Sequence, residues 1–95
     1  MELEFSGDVW HWRGPAPYHF VWVPPDEAGL IQETAAAVTY GWGMVPVTVT
    51  IGDTEWTTSL WPKDGRYVVP LKDAVRRAEG IDLDTVVDVR LRIDV

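Results

Sequence analysis

Residues 45–69, VPVTVTIGDTEWTTSLWPKDGRYVV, decide the fold. Val45, Val47, Val49 and Ile51 alternate with Pro46, Thr48 and Thr50, the two-residue period of a strand with one buried face. Gly52-Asp53 is a tight hairpin turn, and residues 54–61 return antiparallel. Pro62-Lys63-Asp64-Gly65 is turn chemistry again, with a third strand over residues 66–69. Strands joined this closely form an antiparallel meander, because a parallel pair needs a crossover of a dozen residues or more.

On the N-terminal side, residues 2–13 read as a strand with Leu3, Phe5 and Val9 on one parity and Glu2, Glu4 and Asp8 on the other. Gly7 falls on the inward parity and marks a bulge, beyond which Trp10 and Trp12 are expected to change face. Gly14-Pro15-Ala16-Pro17 breaks the strand. Residues 18–23 form the next one, with Tyr18, Phe20 and Trp22 on one side and His19, Val21 and Val23 on the other, buried on both. Pro24-Pro25-Asp26-Glu27 opens a helix expected to run to about Ala37. Gly41-Trp42-Gly43 is a turn or a place of close backbone approach. On the C-terminal side, Leu71, Ala74, Val75 and Ala78 predict an amphipathic helix over residues 71–79, after Pro70 and ended by Gly80. Val87, Val89, Leu91 and Ile93 alternate with charged residues in a last strand. About six strands and two short helices without βαβ alternation predict a mainly β (α+β) domain, a small closed antiparallel barrel.

At 95 residues the chain is expected to be a single domain, 1–95. The absence of cysteine excludes disulfides, thiolate metal sites and a cysteine nucleophile. No apolar run near the N-terminus suits a signal peptide or a membrane span, so a cytoplasmic location and no membrane partner are expected. The net charge is −7. Residues 1–55 hold eight acids against Arg13 alone, whereas residues 56–95 hold seven acids and seven bases. That excess repels phosphate backbones and disfavours nucleic acid as a partner.

Six tryptophans in so short a chain are unusual. Trp12, Arg13, Tyr18, Trp42, Trp61, Lys63 and Arg66 fall near predicted strand ends, beside glycines and prolines. That placement predicts a ligand-binding set at a barrel mouth, where a cation against indole walls suits a planar anion or a peptide carboxylate. Catalytic signatures are lacking. His11, His19 and Asp8 have no metal-ligand spacing, Ser59 sits in no nucleophile elbow, and paired acids such as Glu2 with Glu4 look like a solvated face. A non-enzymatic module that binds a small ligand or a protein is therefore expected, without cofactor or metal, as a monomer or homodimer. The alternative is a dimeric DNA-binding regulator offering Lys63, Arg66, Lys72, Arg76 and Arg77 to phosphates.

Several segments together resemble the bacterial family termed domain of unknown function 1905: residues 5–15, from Phe5-Ser6-Gly7 through Trp12-Arg13-Gly14-Pro15, then Tyr18-His19-Phe20-Val21, Gly41-Trp42-Gly43, residues 46–52, Trp56-Thr57-Thr58-Ser59-Leu60 and residues 67–80. The resemblance implies a barrel of the double-split kind and brings no catalytic residues. Residues 69–81 also resemble half of an AbrB-type swapped hairpin, with Asp84-Thr85 where that pattern has Gly-Asp. This second likeness implies the DNA-binding alternative, although shared topology does not transfer function.

Overall fold

The computed structural model describes residues 1–13, 18–35 and 43–94. Its elements are β1 (Glu2–Trp12), β2 (Tyr18–Trp22), α1 (Pro25–Ala35), β3 (Val45–Ile51), β4 (Thr54–Lys63), β5 (Arg66–Leu71), α2 (Asp73–Glu79) and β6 (Val86–Arg92). The six strands close into an antiparallel barrel in the order β1-β2-β5-β4-β3-β6, the architecture expected from the sequence.

Two strands change partner along their length. β1 pairs with β6 through residues 2–8 and with β2 through residues 9–12. β4 pairs with β3 through residues 54–60 and with β5 through residues 61–63. The barrel is thus two sheets, β1-β6-β3-β4 and β1-β2-β5-β4, that share their outer strands. This split explains three prolines inside strands, since proline has no N–H to donate and is tolerated where one side of a strand is unpaired. Pro46 lies outside the β3–β6 register, which covers residues 48–50. Pro62 lies past Leu60, where the pairing of β4 with β3 stops, and Pro70 past Val68, where the pairing of β5 with β4 stops.

Side-chain parity fills the interior. Val9, Val21, Val45, Val49, Leu60, Val69 and Leu91 are fully buried there, joined by Phe5, Trp56 and Tyr67. The helices add Ala28 and Ile31 from α1 and Val75 from α2. Gly7 stays on the inward parity without a bulge, paired with Val87. A Cβ there would meet Val21 Cγ1 at 2.7 Å and the Trp22 carbonyl oxygen at 3.1 Å, so glycine serves a close approach of β2 to β1. Trp10 and Trp12 consequently do not change face; they remain on the outward parity of Asp8.

Two expected boundaries shift. α2 begins at Asp73, because Leu71 pairs with His19 and packs into the core as the last residue of β5. Pro62 and Lys63 belong to β4, and the turn is Asp64-Gly65 alone, both at positive φ as a type I′ hairpin requires. α1 is described to Ala35; Ala36 and Ala37 lie outside the described residues. Gly80 ends α2 in the left-handed conformation, its N–H donating to the Arg76 carbonyl.

A candidate binding face on the outer wall

Opposite the core, the outward positions of the β1-β2-β5-β4 sheet follow directly from the pairing. They are Trp10 and Trp12 on β1, Tyr18, Phe20 and Trp22 on β2, Arg66, Val68 and Pro70 on β5, and Trp61 and Lys63 on β4. Trp10 stands across from Phe20, which stands across from Pro70; Trp22 and Trp61 flank Val68. No acid occurs among these positions. The outward positions of the other sheet are of a different kind: Glu2, Glu4, Ser6 and Asp88 are there, with Arg90 paired to Glu4 at 3.0 Å.

The rings form one contiguous cluster. Phe20 is at its centre, 5.2 Å from Trp10, 5.2 Å from Trp61, 5.8 Å from Tyr18 and 6.1 Å from Trp12 between centroids. It is 1% exposed although it lies outside the barrel core, with these four rings around it and Val68 and Pro70 buried beside it. Trp22 stacks on Trp10 at 5.3 Å, and Tyr18 meets Trp61 edge-on at 4.9 Å. Trp12 and Tyr18 remain 36% and 39% exposed. Two cations lie over ring faces: Lys63 Nζ is 5.5 Å from the Trp12 centroid, and the Arg66 guanidinium carbon is 4.8 Å from that of Trp22. Arg66 Nη2 also donates to the Val23 carbonyl at 2.9 Å, which fixes the guanidinium over the indole.

Of the set expected from the sequence, Trp12, Tyr18, Trp61, Lys63 and Arg66 are thus gathered on the outer wall of the barrel instead of around its mouth. The reason is parity: their strand neighbours Val21, Leu60 and Val69 take the interior. Arg13 is exposed just beyond β1, and Trp42 lies outside the described residues. Trp10, Phe20 and Trp22 lie outside the set expected from the sequence, yet their signal is there, since residues two apart on a strand share a face with Trp12 and Tyr18.

The basic residues of the alternative set divide. Lys63 and Arg66 belong to the ring cluster, and Lys72 shares a shallow groove with Trp61, Ser59 and Pro46. Arg76 is 3.3 Å from Asp73 and lines another groove with Arg77 and Asp82. His11 and His19 face each other across β1 and β2 with ring centroids 4.7 Å apart, on the inward parity, away from Asp8. Burial lowers the pKa of His19, and the charges of Arg76 and His11 lower it further against the opposing pull of Asp73. Among the described residues no group of three or more potential ligands gathers for a metal ion, and no helix is long and apolar enough to cross a membrane.

The family model described as Domain of unknown function (DUF1905) matches residues 5–91. No curated protein matches the chain.

Proposed function

We propose that this chain, which belongs to the family described as Domain of unknown function (DUF1905), is a non-enzymatic binding module of the cytoplasm whose working surface is the outer wall of the β1-β2-β5-β4 sheet. Trp12, Tyr18 and Trp61 serve as its apolar contacts, Lys63 and Arg66 as its charged ones. One observation carries this reading. A sheet face turned to water is normally polar, yet this one holds a contiguous ring cluster with two cations over it and no acid, in a chain of 15 acids and 8 bases.

Catalysis draws less support. Ser59 is outward on β4, whereas His11 and His19 follow the inward rows of β1 and β2, so the groups that a serine hydrolase needs side by side are distributed over two faces. For the DNA-binding alternative, Arg76 is paired with Asp73, and Lys63 and Arg66 lie over indoles instead of forming one phosphate-binding stripe with Arg77.

The test is a thermal-shift screen of nucleotides, amino acids, sugars and peptides against the native chain and the Trp12→Ala and Lys63→Gln variants. A compound that binds only the folded state raises its melting temperature. The expected hit stabilises the native chain, and its effect is reduced in both variants, while DNA gives no mobility shift at low salt. Hits indifferent to both substitutions would remove the wall from consideration.

A further inference from the structure

We infer that the occupant of this wall is a protein segment carrying carboxylates beside apolar side chains; the inference rests on the binding-face reading above. Shape is the first argument. The outer wall of a closed barrel is convex, whereas small ligands are held in concave sites that bury most of their surface. A convex aromatic face gains affinity by area and by a few anchors, and Trp, Tyr and Arg are the residue types that dominate such interfaces. Trp12 and Tyr18, the most exposed rings of the cluster, are such anchors.

Charge selects the partner. Among the described residues no acid lies within ion-pair distance of Lys63 or Arg66, and they are the two cations that lie over ring faces. A cation lying over an indole face keeps N–H groups for a carboxylate, and the apolar surroundings strengthen that contact. A two-fold contact with a second copy would bring the same cations together with no acid on either wall. A polyphosphate chain needs a run of cations along its backbone and meets the −7 charge of the whole chain.

Fluorescence anisotropy with three labelled probes tests this on the full chain: the peptide Glu-Phe-Glu-Leu-Glu-Phe, the same peptide with glutamine for glutamate, and a short oligothymidylate. The acidic peptide is expected to bind at least about tenfold more tightly than the glutamine peptide, with an advantage that shrinks as salt rises. Lys63→Gln combined with Arg66→Gln should abolish that advantage, and Trp12→Ala should weaken both peptides. Melting curves establish that each variant is folded. Equal affinity for the two peptides, with dependence on Trp12 retained, would overturn the acidic partner and leave the binding face standing. So would preference for oligothymidylate, or self-association in sedimentation that Trp12→Ala removes. Peptide binding indifferent to Trp12→Ala would overturn both, and no peptide binding would overturn the inference.

Discussion

At the scale of single residues, the histidine pair is where protonation meets the fold. His19 stands across from His11 and next to Leu71, at the end of the barrel where Arg76 and Asp73 of α2 bring their charges. Its pKa is lowered from 6.5, first by burial and then by Arg76 and His11, so the folded state favours neutral imidazole more than the unfolded chain does. The unfolded state therefore binds more protons as the pH falls past 6.5. The contribution of His19 is complete above that value and is lost as pH falls through the folded pKa, levelling off below it. Urea unfolding between about pH 7.5 and 5.5 should show stability falling on acidification, less so in His19→Gln. Equal slopes for the two proteins would contradict this account. The neighbourhood of the two rings followed from strand parity and pairing, but Arg76 and Asp73 come from a helix some sixty residues away, which no local pattern announces.

Among the elements, two glycines that both have room for a side chain have opposite roles. Gly29 lies in α1, where a Cβ would meet nothing within 4 Å, so it only adds backbone freedom to the unfolded chain. Gly29→Ala should raise stability by about 1 kcal/mol. Gly65 also has room for a Cβ, but its φ of 74° follows Asp64 at 51° in the hairpin between β4 and β5. Gly65→Ala should cost about 1 kcal/mol, the penalty for a side chain in the left-handed region. Melting temperatures moving in opposite directions would verify the contrast; two shifts of the same sign would refute it. The hairpin itself was legible from Asp64-Gly65, but its length was not. Pro62 read as a turn residue because proline is usually excluded from sheets, and only the split in the barrel shows why β4 tolerates it.

For the whole molecule, the outer cluster behaves as a second, smaller core. Phe20 is 1% exposed with rings around it, so Phe20→Ala should destabilise by about 3–5 kcal/mol, as for a core aromatic, and should weaken the near-ultraviolet circular dichroism of the tryptophans. A loss under about 1 kcal/mol would mean that the rings do not pack as a unit. Alternation along residues 45–51 and 87–93, the turns at Gly52-Asp53 and Asp64-Gly65, and the end of α2 at Gly80 were determined by the sequence alone, because each depends on side-chain period or on backbone angles open to few residues. Which side of β2 faces inward was not. Both of its rows are apolar, Phe20 and Trp22 against Val21 and Val23, so hydrophobicity carried no direction. Tertiary closure decided it: a narrow six-stranded barrel fills with Val- and Leu-sized side chains, with room for few rings, and Trp10, Trp12, Trp22 and Trp61 were left to pack with Phe20 and Tyr18 on the outside.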